Sequence, residues 1–490
     1  MLLSNLLKEL VKIDSEFDRE IIGLTTDSRS VRPGFLFAAF PGINKDARDY
    51  IANALANGAS AIVCEAQDFN SKPSESTPII ALSNLRKEIG NIAATFYGHP
   101  ACKMTIIGFT GTNGKTSCSQ FLAKALQLSH IKCGVIGTLG SGFPDELNQS
   151  VHTTPDSVSI QQQLFMLQQQ GAKVISMEVS SHGLEQERVN GIDFDVAVFT
   201  NLTRDHLDYH KNMEHYAAAK RRFFMRSELK HAVVNIDDNF GRLLLNELSS
   251  KLNVIAYGIS GVKKVNVPMV KAEDIKLNQE GFAAKVVTPW GEGELKSRLL
   301  GRFNISNLLA VLSVLNIMEV PLSDALASIA ELDTVPGRMQ TFGGGDKPMV
   351  VVDFAHTPDA LQQALVALRE YCSGALWCVF GCGGDRDRGK RPQMAIIAEQ
   401  FSDRVIITND NPRCESPKQI VSDIIKGLSH PQAVEIEYDR RVAIADAINS
   451  AKVDDVILIA GKGHEPYQII GEQRIPYSDI EEVKKLMATE

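Results

Sequence analysis

The residues most able to do chemistry are grouped at Ile106-Ile107-Gly108-Phe109-Thr110-Gly111-Thr112-Asn113-Gly114-Lys115-Thr116. Backbone N–H groups of a glycine-rich turn can wrap a phosphate, and a helix N-terminus adds positive partial charge. Gly111, Thr112, Asn113, Gly114, Lys115, Thr116 and Ser117 are therefore the candidate ATP-binding loop. Lys115 would reach the outer phosphates and the Thr116 hydroxyl a Mg²⁺ ion. The standard pattern has a glycine where this chain carries Phe109, and Gly111 supplies the turn instead. A structural turn is the alternative reading of the loop.

Further candidates follow apolar runs. Glu178 ends Val174-Ile175-Ser176-Met177, where a Mg²⁺ ligand or an ordinary surface acid could stand. Asn201-Leu202-Thr203-Arg204-Asp205-His206-Leu207-Asp208-Tyr209-His210 carries a His and Asp cluster suited to metal or phosphate, or is simply a polar loop. Lys220, within Ala217-Ala218-Ala219-Lys220-Arg221-Arg222, reads on its own as a solvated helix face. Gly381-Cys382-Gly383-Gly384-Asp385-Arg386-Asp387-Arg388-Gly389-Lys390-Arg391-Pro392 is a glycine-rich loop with four basic side chains, suited to an anion. In Asp410-Asn411-Pro412-Arg413 the arginine could hold a carboxylate through two parallel hydrogen bonds, or the segment is an Asn-Pro turn. Gly461-Lys462-Gly463-His464-Glu465 repeats the pattern after the last apolar run.

Positioning these groups takes alternating strands and helices. A helix from about Thr116 to Leu128 follows the loop. Strands are expected at Phe35 to Phe40, Ala61 to Cys64, Met104 to Phe109, Val174 to Glu178, Val196 to Phe199 and Ala232 to Asn235. A polar, strand-rich insert runs from about Val254 to Leu299, and the Asn304 to Ile317 helix closes the segment. Beyond Thr334-Val335-Pro336-Gly337-Arg338 the strands Met349 to Phe354, Ala375 to Phe380, Val405 to Thr408, Val434 to Tyr438 and Val456 to Ala460 alternate with helices. That pattern predicts a doubly wound sheet with ligands at the strand C-termini.

The 490 residues require more than one core. With 44% hydrophobic and 22% charged residues the composition is that of a soluble globular protein. The net charge of −8 argues against nucleic acid as the main ligand. No apolar run reaches the length of a membrane span, and the N-terminus lacks the pattern of a signal peptide. Eight scattered cysteines without a Cys-x-x-Cys pair point to a reducing cytoplasm.

In their order, these blocks resemble the Mur ligases of bacterial cell-wall synthesis. The blocks are Gly111 to Thr116, Glu178-Val-Ser-Ser-His-Gly-Leu184, Asn201 to Asp208, Gly301-Arg-Phe-Asn304, Pro336-Gly-Arg338 and Asp353-Phe-Ala-His-Thr-Pro358. The resemblance covers essentially the whole chain. It implies an α/β fold in three domains: a small mixed α/β domain at 1–95 for the UDP moiety, a central P-loop ATPase-like domain with a parallel sheet at 96–333, and a Rossmann-like domain at 334–490 for the amino acid. It implies ATP and Mg²⁺ as cofactors. It also implies a cytoplasmic bacterial monomer that inserts in no membrane and binds no nucleic acid.

Asp410-Asn411-Pro412-Arg413 resembles the recognition motif for meso-diaminopimelate, with Arg386, Gly461 and Glu465 lining the same site. The implied reaction is ATP-dependent joining of meso-diaminopimelate to the D-glutamyl carboxylate of UDP-N-acetylmuramoyl-L-alanyl-D-glutamate through an acyl phosphate. The resemblance makes Lys115, Lys220, His206 and Glu178 catalytic. Thr116, Glu178, His206 and Lys220, the last as a carbamate, become the metal ligands. Asn304, Arg338 and Asp353 match contacts to ATP. Thr26, Ser28, His152, Thr153, Thr154, Ser180, Gln186 and Arg188 match contacts to the UDP-sugar peptide. Two departures stand out: Pro41 to Arg48 lacks the family's usual His and Asp-Gly-Arg, and His152 replaces an Asn found in some relatives. Alternatives are a lysine-adding ligase, a folylpolyglutamate synthetase and a P-loop switch that only hydrolyses ATP. Arg413 and the Asp-Ser-Arg block at 27–29 argue against these.

Overall fold

Short β-branched runs that are apolar on both faces must be covered on both sides, and helices supply the cover. The computed structural model describes residues 1–43, 45–69, 77–150, 152–248, 250, 252–259, 265–278 and 281–488. They form two compact units. One comprises Met1–Thr110, His130–Ala197 and Arg222–Lys230; the other comprises Gly111–Ser129, Val198–Arg221 and His231–Glu490.

In the first unit, Gly23–Thr25, Phe35–Ala39, Ala61–Glu65 and Ile79–Leu82 form a parallel sheet in that order. Side chains alternate across it as strand geometry requires. Leu36, Ala38, Ala61 and Val63 face the Leu85–Phe96 helix through Leu85, Ile89 and Ile92. Phe37, Ala39, Ile62 and Cys64 pack with Val31, Ile51 and Ala54 on the other side. A second set of strands follows. Thr105–Thr110 pairs in parallel with Val174–Glu178, which pairs in parallel with Cys133–Gly137. Two antiparallel strands, Gly140–Phe143 and Glu146–Asn148, extend it.

The second unit begins at the glycine-rich loop and the Lys115–Leu128 helix. Its strands His231–Asn235, Asn253–Ile259 and Met269–Asn278 are parallel, and Gly281–Thr288 and Gly291–Ser297 continue antiparallel. The Arg302–Ile317 helix packs on the Lys115–Leu128 helix. A six-stranded sheet follows, in the order Gln340–Gly344, Lys347–Asp353, Val456–Ala460, Leu376–Phe380, Arg404–Ile407, Glu435–Ile436. All its pairs are parallel except the first. Helices Pro358–Arg369, Lys390–Phe401 and Pro417–Ile425 cover one face, and Arg440–Ser450 and Asp479–Ala488 the other. This is the doubly wound arrangement.

Three details differ from the sequence reading. The expected strand Val434 to Tyr438 shrinks to Glu435–Ile436, because it is an exposed edge with one neighbour. The antiparallel edge Gln340–Gly344 hides behind the glycines at 343–345. The hairpin Tyr467–Ile470 with Gln473–Pro476 is too exposed to give a hydrophobic alternation. Among the described residues, no helix is long and apolar enough to cross a membrane.

Candidate active site

The loop after Thr110 turns at two glycines. Gly111 has φ +154° and Gly114 has φ +87°, backbone that side chains resist. A Cβ on Gly114 would come within 2.6 Å of Asn307 Oδ1. Phe109 is a fully buried strand residue, which explains why no glycine is needed there. Asn201 and Thr200 hold the loop. Thr112 N donates to Asn201 O at 2.8 Å, Asn113 N to Asn201 Oδ1 at 2.8 Å, and Thr200 Oγ1 to Asn113 O at 2.6 Å. Asn113 Nδ2 also donates to Asp359 Oδ2 at 3.0 Å, which ties the loop to the start of the Pro358–Arg369 helix.

Lys115 and Lys220 converge on one carbonyl. Lys115 Nζ lies 2.8 Å from Gly111 O and 2.9 Å from Thr112 O, and Lys220 Nζ lies 2.8 Å from Gly111 O. The solvated-face reading of Lys220 is overturned, since its side chain is 1% exposed. In the Met213–Phe224 helix, Arg221 and Arg222 point outward while Lys220 points in, over the Tyr216 ring at 4.5 Å. Burial, reinforced by Lys115, holds the Lys220 amine well below the usual lysine range, against the opposing pull of Asp205.

Asp205 is the anion of this neighbourhood. It lies 3.4 Å from His206 Nε2, 3.4 Å from His356 Nε2 and 3.7 Å from Lys390 Nζ. Burial pushes its carboxyl up, but these three groups outweigh it and keep Asp205 well below the usual carboxylate range. His206 sits at φ +55° and caps the short Leu207–His210 helix.

Of the expected ATP contacts, Arg338 reaches the loop directly. Its Nη2 donates to Thr116 Oγ1 at 3.1 Å, and its guanidinium stacks 4.3 Å from the Phe354 ring centroid. Asp353 accepts from Met339 N at 2.7 Å and Ala355 N at 2.8 Å, fixing the segment that carries Arg338. Asn304 is buried in the Arg302–Ile317 helix, bonded to Leu300 O and Asn307 Nδ2. Ser117 is buried in the first turn of the loop's helix.

At the strand tips of the six-stranded sheet a second constellation forms. Arg413 has φ +51° and donates through Nη1 to Gly384 O at 2.8 Å. Its backbone bridges to Ile470 of the hairpin, which sequence reading missed. A Cβ on Gly383 would lie 2.9 Å from Arg413 Nη1 and 3.6 Å from Arg386 Cγ, so both arginines flank that glycine. Burial first and Arg386 second push the Arg413 guanidinium below its usual range. Beside them Lys462, fully buried, donates to Glu465 Oε2 at 2.7 Å and Asn411 Oδ1 at 3.1 Å, and Asn411 Nδ2 donates to Glu465 at 2.8 Å. Gly461, φ +116°, lets the chain approach Asp410; a Cβ there would lie 2.7 Å from Oδ2. Pro412 completes the turn by accepting from Glu415 N at 3.1 Å.

The first unit gathers most of the expected UDP-sugar residues around Glu178. Its carboxylate accepts from Thr138 N at 2.7 Å and lies 3.1 Å from Thr138 Oγ1, which is 3.0 Å from Thr153 Oγ1. Thr154 Oγ1 donates to Glu178 O at 2.9 Å and accepts from Ser180 N at 3.0 Å. Arg188 donates to Thr154 O at 2.7 Å and to Gln186 Oε1 at 2.7 Å. His152 is exposed on the same segment. Ser28 is buried and its carbonyl accepts from Asn57 Nδ2 at 2.9 Å, with Thr26 half-buried nearby in sequence. In the Ile43-to-Lys45 loop, residue Asn44 lies outside the described residues. Thr138 aims Glu178, so Thr138→Val is expected to lower kcat about tenfold, as loss of one hydrogen bond to a charged group does. Steady-state rates at saturating substrates check this, and an unchanged kcat would remove Thr138 from the account.

Three family descriptions match consecutive segments: "Mur ligase family, catalytic domain" over residues 20–97, "Mur ligase middle domain" over 109–315 and "Mur ligase, glutamate ligase domain" over 337–463. A relative from Coxiella burnetii, named UDP-N-acetylmuramoyl-L-alanyl-D-glutamate–2,6-diaminopimelate ligase, is 53% identical over 95% of this chain and 96% of its own. The chain belongs to the Mur ligase family. A Pseudomonas aeruginosa relative of the same name is 49% identical over 97% of this chain and 96% of its own. A solved structure titled as that ligase is 36% identical, with a TM-score of 0.71, and covers 99% of both chains.

Sequence reading of this Mur ligase gave no individual role to several polar residues that shape the site. Asp205, His356 and Lys390 stand inside blocks already singled out, so their spacing was the available signal. Thr138, Asp359 and Arg440 carry no local pattern, because each acts through a partner distant in sequence.

Proposed function

We propose that this Mur ligase is an ATP-dependent amide ligase that joins meso-2,6-diaminopimelate to the D-glutamyl carboxylate of UDP-N-acetylmuramoyl-L-alanyl-D-glutamate in peptidoglycan precursor synthesis. One observation carries the amino-acid assignment: Arg413 and Arg386 flank Gly383, a few residues from a carboxylate–amide–ammonium cluster of Glu465, Asn411 and Lys462. A zwitterion with a carboxylate and an adjacent ammonium complements that pair of charges. Lysine would bring no distal carboxylate and leave Arg413 poorly paired, so one residue attracts the right substrate and rejects the wrong one.

Residues 1–95 would take the UDP moiety, 96–333 ATP and 334–490 the amino acid. Thr26, Ser28, His152, Thr153, Thr154, Ser180, Gln186 and Arg188 are assigned to the UDP-sugar peptide. The loop at Gly111 to Ser117, with Asn304, Arg338 and Asp353, is assigned to ATP. The D-glutamyl carboxylate oxygen attacks the γ-phosphorus, ADP leaves, and an acyl phosphate forms. The free diaminopimelate amine then attacks the acyl carbon; the tetrahedral intermediate expels phosphate and loses a proton to give the amide. Lys115 follows the transferring charge, and its present acceptors are loop carbonyls that phosphate oxygens would replace.

Lys220 fits carbamylation. Burial shifts this amine toward its neutral form, and the neutral nitrogen is the form that adds to CO₂, releasing one proton. Thr116, His206 and the carbamate of Lys220 would hold magnesium in the second unit; Glu178 is the metal-ligand candidate of the first unit. Phosphate oxygens would complete the coordination of such an ion. Magnesium, when bound, neutralises charge on the phosphoryl group. The enzyme is assigned as a monomer of the bacterial cytoplasm.

Labelling the D-glutamyl carboxylate with ¹⁸O tests the acyl-phosphate route. One ¹⁸O per turnover should appear in the released phosphate; unlabelled phosphate beside labelled amide would rule the route out.

A further inference from the structure

The amino-acid loops lie at two strand tips, and one buried guanidinium touches both. Arg440, at the start of the Arg440–Ser450 helix, is 2% exposed. Its Nη2 donates at 2.8 Å to Ala460 O, the residue before Gly461, and its Nη1 donates at 3.4 Å to Asn409 O, the residue before Asp410. The fork itself is locked from behind. Nε and Nη2 each donate at 2.8 Å to the two oxygens of Asp479, which is fully buried. Tyr477 OH donates to the same carboxylate at 2.9 Å. Asp479 begins the Asp479–Ala488 helix, so this bidentate pair ties that helix to the backbone before both loops.

We propose that Arg440, held by Asp479 and Tyr477, is a positioning unit that sets the spacing between the Asp410–Arg413 and Gly461–Glu465 loops and so tunes affinity for the amino-acid substrate. The inference rests on the reading that those loops hold diaminopimelate. The geometry supports it in two further ways. Gly461 and Asp410 approach so closely that a Cβ would lie 2.7 Å from the carboxylate, so a small change in spacing is felt at once. Arg440 also acts on that carboxylate: burial pushes Asp410 up, and Lys462 and Arg440 together bring it below its usual range. Lysine keeps the charge but not the planar fork, so it cannot serve Asp479 and two carbonyls together.

The test uses the full-length enzyme with Arg440→Lys, Tyr477→Phe and Arg413→Ala in parallel. Each is measured for KM of meso-diaminopimelate, KM of ATP, kcat and thermal midpoint. Arg440→Lys should raise the diaminopimelate KM about tenfold, since it loses the fork itself, and Tyr477→Phe about threefold, since it loosens only the Asp479 carboxylate behind the fork, with the ATP KM within about twofold. If Arg440→Lys does not fold, Tyr477→Phe alone decides through the same split. Variants that melt earlier yet keep the wild-type diaminopimelate KM would reduce the unit to a structural buttress and overturn the proposal. If Arg413→Ala raises that KM while the other two do not, only the positioning role fails. If Arg413→Ala also leaves it unchanged, the location of the amino-acid site has failed and the positioning role with it.

Discussion

Arg413→Ala raises the KM for meso-diaminopimelate by about 10²–10³-fold and leaves the KM for ATP nearly unchanged, because truncating one partner of a buried charge pair costs about 2–5 kcal/mol. The guanidinium is half-buried, anchored at Gly384 O and pressed by Arg386. Two cations in that setting gain from an anion between them, and the distal carboxylate of diaminopimelate is the anion on offer. Removing Arg413 also removes the penalty for a substrate lacking that carboxylate. Discrimination against L-lysine should therefore fall to less than about tenfold in the variant. Titration of both amino acids in a phosphate-release assay checks this. A change of less than threefold in the diaminopimelate KM would mean that Arg413 does not hold substrate.

Lys220→Met is expected to lower kcat by about 10³-fold while sparing the KM for diaminopimelate, the pattern for a group that acts on charge in the transition state. Methionine keeps an apolar stem beside Tyr216 and removes only the nitrogen, so the buried site need not collapse. The cause can be read separately from the rate. Wild-type protein in ¹³C-bicarbonate should give a carbamate carbon resonance that Lys220→Met lacks. A variant retaining wild-type kcat, or an identical spectrum in both proteins, would contradict the assignment. Lys115→Met, which removes the loop's phosphate ligand, should keep the resonance.

What the sequence made legible follows from locality. Val174–Glu178, Val196–Phe199 and Val456–Ala460 form with their expected ends, because each is a mainly apolar run buried along its length. The glycine-rich loop was readable because its conformation depends on glycines within it. Asp410 to Arg413 was readable for a similar reason, as the turn and the cation lie together. Lys220 was not, since a helix carrying Lys-Arg-Arg looks solvated until the fold turns one of the three inward. The Arg440–Asp479 pair, the Asn113–Asp359 bond and the hairpin behind Arg413 each join residues far apart in the chain. Neither period nor spacing encodes such contacts. Glu178 shows both cases: its strand-tip position was evident, whereas Thr138, which orients it, was not.

ATP is spent to join one particular amino acid to a UDP-sugar dipeptide. Mass spectrometry of the products tests it most directly. The enzyme is given ATP, Mg²⁺, UDP-N-acetylmuramoyl-L-alanyl-D-glutamate and, in separate reactions, meso-diaminopimelate, L-lysine or no amino acid. Meso-diaminopimelate should give the UDP-sugar tripeptide with one phosphate released per amide formed, and the other two reactions neither product nor appreciable phosphate. Equal yields with L-lysine, or steady phosphate release with no joined product, would contradict it.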